Sequence, residues 1–353
     1  MRKSTITKKH KHPIVKSTVA RPVLIVTGIS LSLLLIILGS YIYVQGERAL
    51  FYASSAPPPQ TAQEEIEPFP VGVNPRQKAI SEDPSLEAFL QTNAMSTIVA
   101  SHKASGIFRK LQRTLALFGW YQSLASLSSR ILVIDSGERK EQIADHFGKI
   151  LDWDEPMKQE FLDFITQKNP MIPDGTFFPG KYTVEKGATP ETVALLITER
   201  FEREVLARYT DHVTAQVPLS DTLVLASLLE REAYDFTDMR KISGVIWNRL
   251  FSNMNLQIDA TLQYAKGSNP SEPWWPRVLP EDKYIESVFN TYKQSGLPPT
   301  PISNPSLAAI IAALNPEKTD CMYYFHDKKS DFHCAPTYKE HVRLLKEYYG
   351  RGK

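Results

Sequence analysis

The chain has 353 residues, of which 42% are hydrophobic and 23% are charged. This length and apolar content suffice for one large or two modest domains, and they exclude a disordered chain and a small disulfide scaffold. The 41 basic and 39 acidic side chains nearly balance, but residues 1–21 contain seven of the basic ones and no acid. The remainder therefore has a net charge of −5, which argues against a nucleic-acid partner, since such proteins present a basic face.

A membrane-spanning helix is predicted at residues 22–44, a run of 23 residues without a charge. About 20 apolar residues cross a bilayer as a helix, whereas a cleaved signal peptide has an apolar region of only about 7–15 residues. The basic residues 1–21 predict a cytoplasmic tail under the positive-inside rule. We therefore expect a single-pass protein of the plasma (inner) membrane, with residues 45–353 in the periplasm or outside the cell.

Residues 45–125 include Ala-Pro-Pro-Pro at 56–59 followed by polar residues, which is typical of an extended linker, and the fold of the rest of this region is left open by the sequence. A small α+β unit is predicted over 126–210, where short apolar runs alternate with helical patterns. The predicted elements of this unit are strands at 131–134 and 181–184 and helices at 138–147 and 190–206.

A second, mixed α/β domain is predicted at 211–350. Its clearest element is a helix around residues 223–229, which is uncharged throughout and is therefore expected to be buried on all sides, with Ser220 and Asp221 as its cap. Residues 256–259 alternate between apolar and polar, as in a strand or extended segment. The other predicted elements are helices at 238–250, 261–265, 306–314 and 337–349 and a strand at 323–325.

Two cysteines, Cys321 and Cys334, lie in the part of the chain expected outside the membrane. An oxidising compartment permits a disulfide between them, and two buried thiols are the alternative. No spacing of cysteine and histidine resembles a zinc site, so we expect no metal.

Glu230 and Glu232, at the end of the buried helix, are the main candidates for chemistry. Positions two apart on a helix point about 200° away from each other, so only one of the two can face a cleft. A carboxylic acid held against apolar walls has a raised pKa and can donate a proton at neutral pH. The alternative is that both are solvated charges at a helix end.

Other polar residues are candidates for the same cleft. Gln257 and Asp259 share one face of the extended segment, although Asp259 is equally suited to cap the helix that follows. Asn290 and Tyr292 precede a Gly-Leu-Pro-Pro turn, and they either contact a ligand or brace the loop. The sequence contains no nucleophile elbow and no phosphate-binding glycine loop, so any chemistry would use carboxylates and amides.

Several segments form a recognisable ordered set. Residues 225–233 read Leu-Ala-Ser-Leu-Leu-Glu-Arg-Glu-Ala, residues 245–250 read Val-Ile-Trp-Asn-Arg-Leu, and residues 256–264 read Leu-Gln-Ile-Asp-Ala-Thr-Leu-Gln-Tyr. Together with other segments they resemble the endolytic murein transglycosylases, the MltG (YceG-like) family. The other matching segments are 177–182, 290–292, 296–299, 301–305, 312–316 and 337–341. The positions that depart from the family pattern are Ala260, Phe289, Thr300, Ser306 and Phe332.

The resemblance implies that Glu232 is the catalytic acid and base. The reaction would cleave the β-1,4 bond between N-acetylmuramic acid and N-acetylglucosamine within peptidoglycan strands, with the muramyl C6 hydroxyl attacking its own anomeric carbon to leave a 1,6-anhydro end. No metal or cofactor is implied. The residues expected to bind or position the substrate are Glu230, Asn248, Gln257, Asp259, Thr261, Tyr264, Asn290 and Tyr292.

The expected fold class is α+β, with a single N-terminal transmembrane helix, a LysM-like small α+β domain at 126–210 and a mixed α/β catalytic domain at 211–350. The expected partners are peptidoglycan strands, the membrane, and cell-wall synthases and division proteins. The expected role is to terminate or trim nascent strands. Two other functions fit the sequence: a glycan hydrolase that uses Glu232 with Asp259, and a catalytically weak peptidoglycan-binding scaffold.

Overall fold

The computed structural model describes residues 67–81, 129–168 and 174–350. Contacts divide the chain into two units, 1–63 and 64–353, and all of the described residues belong to the second unit. The described part has the mixed α+β architecture that the sequence predicts.

The predicted cytoplasmic tail and membrane helix lie outside the described residues and stay predictions. In the described ranges, no helix is both long and apolar enough to cross a membrane. Of residues 45–125, residues 67–81 are described, in the part whose fold the sequence left open, and they form a short antiparallel hairpin of β1 (Val73–Asn74) and β2 (Ala79–Ile80). Phe69 and Val73 are buried in the larger of the two hydrophobic cores, so this short segment is part of the folded body.

A two-stranded sheet and three helices form a small α+β unit where the sequence predicts one. Its elements are β3 (Ser129–Ile134), α1 (Lys140–Leu151), α2 (Glu155–Lys168), β4 (Gly180–Glu185) and α3 (Pro190–Glu204). Strands β3 and β4 are antiparallel and pair along their whole length. Pro190 opens α3 as predicted, and the hydroxyl of Thr189 accepts a hydrogen bond from the backbone N–H of Thr192. The likeness of this unit to a LysM domain stays a prediction.

Aromatic rings form the core of the small unit. The ring centroid of Phe161 lies 5.6 Å from that of Phe147, 5.5 Å from that of Trp153 and 5.7 Å from that of Phe177. Phe161 belongs to α2, a helix that the sequence analysis missed. Only Phe161 and Ile165 of this helix are buried, so its apolar stripe is too sparse to give a clear helical period.

Helices dominate the rest of the described chain. The elements are α4 (Asp211–Gln216), α5 (Leu219–Glu232), α6 (Phe236–Phe251), α7 (Asp259–Gly267), α8 (Leu307–Leu314), β5 (Tyr323–His326), β6 (Phe332–Ala335) and α9 (Tyr338–Tyr349). Every residue of α5 from Thr222 to Leu229 is buried, as its uncharged run predicts. Helices α6 and α8 pack against α5, and the indole N–H of Trp247 in α6 donates to the carbonyl of Ala313 in α8 over 3.0 Å. Helix α5 is therefore a rigid support for the two glutamates at its end.

The prediction that Ser220 and Asp221 cap α5 was wrong. The helix begins at Leu219, directly after Pro218, and no side chain caps its first turn. The hydroxyl of Ser220 instead donates to Asp221 Oδ1 over 3.3 Å. Since Pro218 fixes its own φ near the helical value, the chain enters the helix two residues earlier than the capping pattern suggests.

The prediction of a strand or extended segment at 256–259 was also wrong in part. Gln257 has a left-handed backbone, with φ of 52°, and Asp259 is already the first residue of α7. The backbone N–H of Gln257 donates to the carbonyl of Thr291, and that of Ile258 donates to the Thr291 hydroxyl. These two hydrogen bonds join the backbone of this stretch to the loop that contains Thr291, and the stretch pairs with no strand in the described part of the chain. Gln257 and Asp259 are both exposed.

Strands β5 and β6 form an antiparallel hairpin in which His326 lies opposite Phe332. Only β5 was predicted from the sequence. The two cysteines form the disulfide Cys321–Cys334, which settles the alternative that the sequence leaves open. The disulfide ties the residues before β5 to β6 and so restrains the hairpin that carries Tyr324.

Asn304 joins the small unit to the larger core. Its side chain is fully buried, with its Nδ2 donating to the carbonyl of Glu138 over 3.0 Å. Its Oδ1 accepts from the backbone N–H groups of Gly175 and Phe177, over 3.0 and 2.9 Å. Its own backbone N–H donates to Glu138, and its carbonyl accepts from Gly137. One amide side chain therefore fixes two segments of the small unit against the loop before α8.

Candidate active site

Glu232 is the last residue of α5, the buried helix. Ala233 follows in an extended conformation, and its backbone N–H closes the helix by donating to the carbonyl of Leu229. The carboxyl group therefore emerges where the helix ends, at the edge of the apolar core. The side chain of Glu232 is only partly exposed to solvent.

Tyr324 is the hydrogen-bond partner of Glu232. Its phenolic O–H donates to Glu232 Oε2 over 3.0 Å. Tyr324 lies on β5, and its ring stacks on Phe332 of β6 at 5.9 Å with an interplanar angle of 18°. The sequence analysis identified the strand but missed the role of Tyr324, because 92 residues separate it from Glu232.

The environment raises the pKa of Glu232. Burial is the largest cause, because it disfavours the charged carboxylate, and the negative charge of Asp259 acts in the same direction. The hydrogen bond from Tyr324 is the largest of the effects that lower the pKa, and a backbone hydrogen bond from Ala260 and the nearby His326 lower it less. The net effect favours a protonated carboxylic acid, which is what a general acid requires.

Asp259 and Tyr292 form a pair beside Glu232. The O–H of Tyr292 donates to Asp259 Oδ1 over 2.6 Å. Asp259 makes no side-chain cap for α7, so the capping alternative is not what the structure shows. Burial and the adjacent Asp259 both raise the pKa of Tyr292, which keeps its phenol neutral and able to donate.

A histidine–aspartate pair adjoins the site, and neither residue was singled out from the sequence. His326 Nε2 lies 2.9 Å from Asp238 Oδ2 and 3.0 Å from Oδ1. Asp238 is buried in the first turn of α6, and its Oδ2 also accepts from the backbone N–H of Tyr234 over 2.9 Å. Since His326 and Tyr324 are two residues apart on β5, they lie on the same face of the strand.

Glu230, the other glutamate of the pair, points to a different partner. Its Oε2 accepts from the hydroxyl and the backbone N–H of Ser306, over 2.7 and 3.0 Å. Ser306 caps α8, so Glu230 supports the packing of α8 on α5. The two glutamates thus diverge as helix geometry predicts.

Asn248, on α6, donates to the carbonyls of Thr319 and Cys321, just before β5.

Thr261 and Asn290 also make contacts within the protein. The Thr261 hydroxyl lies 2.9 Å from that of Thr291, and Asn290 Nδ2 donates to the carbonyls of Lys283 and Ile285. Both Thr261 and Asn290 are fully buried. These contacts hold the loop that carries Tyr292 against the start of α7.

Tyr264 and Gln257 are the remaining two residues predicted to bind or position the substrate, and their surroundings differ from each other. Tyr264 donates to Asp174 Oδ2 over 3.1 Å, and the guanidinium of Arg139 lies 4.1 Å from its ring centroid, so Tyr264 connects α7 to the small unit. Gln257 is exposed at the start of the segment that leads to Asp259. Within the described ranges, no three His, Cys, Asp or Glu side chains are grouped so that they could hold a metal ion.

Changing Tyr324 to phenylalanine is expected to raise the pKa of Glu232 further. The change keeps the stacked ring but removes the O–H that stabilises the carboxylate, a hydrogen bond to a charged group worth about 1.5–3 kcal/mol. The measurement is a ¹³C NMR titration of the Glu232 carboxyl in both proteins. A pKa for Glu232 that is unchanged or lower in Tyr324→Phe would contradict this arrangement, and Tyr323→Phe serves as the control on the same strand.

The surroundings of Glu232 suit a group that donates a proton. A single carboxyl group at the end of a buried helix has a raised pKa, a tyrosine donor and a second carboxylate nearby. The sequence model of the YceG-like family matches residues 84–347, about three quarters of the chain. The chain belongs to the YceG-like family.

Named relatives match part of the chain. It is 33% identical over 200 residues to the endolytic murein transglycosylase of Bacillus subtilis (strain 168), a match that covers 54% of each chain. It is 28% identical over 176 residues to that of Streptococcus pneumoniae (serotype 2, strain D39), which covers 50% of this chain and 32% of the relative. The matched part thus spans about half of the first relative and a third of the second.

A solved structure has a similar fold. The crystal structure of a yceG-like protein from Listeria monocytogenes superposes with a TM-score of 0.54 at 27% sequence identity. The superposition covers 64% of this chain and 80% of that one.

Proposed function

We propose that this chain is an endolytic peptidoglycan lytic transglycosylase. Its substrate would be the β-1,4 bond between N-acetylmuramic acid and N-acetylglucosamine inside glycan strands. The observation that carries the proposal is the single, partly buried Glu232 with a raised pKa, in a chain whose relatives are named endolytic murein transglycosylases. Cleavage within strands would terminate or trim them during wall synthesis.

In the first step Glu232 acts as the acid. It passes its proton to the glycosidic oxygen as the bond from that oxygen to the muramyl anomeric carbon breaks. Because Tyr324 donates to Oε2, the proton that the acid transfers would reside on Oε1. The leaving chain then ends in a neutral hydroxyl group.

In the second step Glu232, now a carboxylate, acts as the base. It takes the proton of the muramyl C6 hydroxyl while the C6 oxygen bonds to the anomeric carbon and closes the 1,6-anhydro ring. No water is consumed, and the carboxylic acid is regenerated. A nucleophile in the same sugar gains from proximity, so one carboxyl group suffices for the reaction.

Asp259 supports a second candidate function. A hydrolase needs a second carboxylate across the sugar, and Asp259 is exposed beside Glu232 and bonded to Tyr292. In the transglycosylase the same charge has another use, because it raises the pKa of Glu232. The two functions differ in their products, which makes them separable by mass.

We further propose that residues 22–44 anchor the protein in the plasma membrane with its catalytic part outside the cytoplasm. The uncharged run and the basic residues before it support this location, and cell-wall synthases and division proteins are the partners expected there. Protease added to spheroplasts should digest residues 45–353 and spare the tail. Digestion only after lysis would contradict the proposed orientation.

A digest of purified, uncrosslinked glycan strands by the full chain in detergent tests the proposed reaction. We expect internal fragments with 1,6-anhydro ends, one water lighter by mass spectrometry than hydrolysed fragments. Reducing ends of full mass would instead support the hydrolase. Intact strands that nevertheless bind the folded protein would support the scaffold function.

A further inference from the structure

Tyr234 is an exposed aromatic residue beside the candidate acid. Its side chain is 63% exposed, and it lies two residues after Glu232, with the extended Ala233 between them. Its ring packs against His326, one of the groups that act electrostatically on the Glu232 carboxyl, so it lies beside the candidate acid. The proposed reaction mechanism assigns Tyr234 no role.

The protein holds this exposed ring in place. The backbone N–H of Tyr234 donates to Asp238 Oδ2 over 2.9 Å. Its ring lies perpendicular to the imidazole of His326, with centroids 4.8 Å apart. His326 is fixed in turn by Asp238, at 2.9 Å. The side chain has therefore already lost much of the conformational freedom that binding would otherwise remove.

We propose that Tyr234 is a stacking surface for an N-acetylhexosamine ring of the glycan strand, in the subsite next to the bond that Glu232 cleaves. A tyrosine offers a flat apolar ring to the C–H face of a pyranose and a phenol to its polar substituents. This subsite rests on the proposed function, since it names how the same site holds the same substrate.

Binding of peptidoglycan strands stripped of their stem peptides tests the subsite. The protein is the full chain in detergent with Glu232→Gln, which prevents cleavage during the measurement. Adding Tyr234→Ala is expected to weaken binding about tenfold, the size of a lost aromatic contact. Tyr234→Phe should keep affinity within about threefold, because the stacking ring remains.

Tyr338→Ala is the matched control, because Tyr338 is also 63% exposed and lies at the start of α9. Its affinity should not change, and an equal loss in this variant would overturn the proposal. Unchanged binding by Tyr234→Ala would overturn the subsite and leave the proposed function intact. If the full chain with Glu232→Gln alone binds no stripped strands, the result contradicts both the subsite and the proposed function. In the chain that retains Glu232, Tyr234→Ala should raise KM more than it lowers kcat.

Discussion

Replacing Glu232 with glutamine is expected to lower the rate of glycan cleavage by about 10³–10⁴-fold, the upper range for loss of a general acid–base group. Glutamine keeps the shape and can accept the hydrogen bond from Tyr324, but it has no acidic proton to give to the glycosidic oxygen. The rate of anhydro-end formation measures the effect. Glu199→Gln, an exposed change on α3, is the control and should leave the rate unchanged.

The raised pKa of Glu232 gives this prediction a pH dependence. Cleavage requires the protonated acid, so kcat/KM of the unmodified chain should fall as the pH rises through the raised pKa. Folding raises this pKa, so the stability contributed by the bound proton is complete below the ordinary glutamic acid pKa. That stability is lost as the pH rises through the folded-state value.

The carboxyl group of Glu232 is therefore expected to lower the free energy of unfolding at alkaline pH. Above its raised pKa, Glu232 is a partly buried charge, and Glu232→Gln removes that charge. We expect the variant to have a higher Tm than the unmodified chain at alkaline pH and little difference at acidic pH. A variant that is less stable at alkaline pH, or that keeps most of its activity, would contradict the role given to Glu232.

Asn304→Ala is expected to lower the free energy of unfolding by about 2–6 kcal/mol. The change leaves the carbonyl of Glu138 with one donor fewer and removes the acceptor of the Gly175 and Phe177 N–H groups. Each buried polar group left without its partner costs about 1–3 kcal/mol. Chemical denaturation monitored by tryptophan fluorescence measures the loss.

Asn269→Ala provides the comparison for Asn304→Ala. Asn269 is exposed, and within the described ranges its side chain accepts hydrogen bonds only from nearby Ser271, so its loss should cost under about 1 kcal/mol. Equal destabilisation by both changes would contradict the role of Asn304 as the joint between the small unit and the larger core. Because the site lies in the larger core, Asn304→Ala should reduce activity mainly through lost folded protein.

Local patterns predicted many of the elements well. The uncharged run that became α5 and the Thr-Pro start of α3 needed only nearby residues, because helix burial and capping are local properties. The wrong predictions lie where hydrogen-bonding groups from distant parts of the chain compete with the local pattern. Residues 256–259 alternate as a strand does, yet Thr291 takes their backbone hydrogen bonds and α7 begins at Asp259.

The sequence by itself determined the family resemblance, the buried helix α5 and the position of Glu232 at its end, since these follow from consecutive residues. It also predicted that Glu230 and Glu232 diverge, because helix geometry fixes that angle. Only the tertiary structure decided which side chains surround Glu232. Tyr324 lies 92 residues away from Glu232 along the chain, and His326 lies 88 residues from Asp238. Contacts of that separation depend on how the hairpin packs against α5 and α6, and the pairing of two distant polar side chains leaves no periodic signal in the sequence.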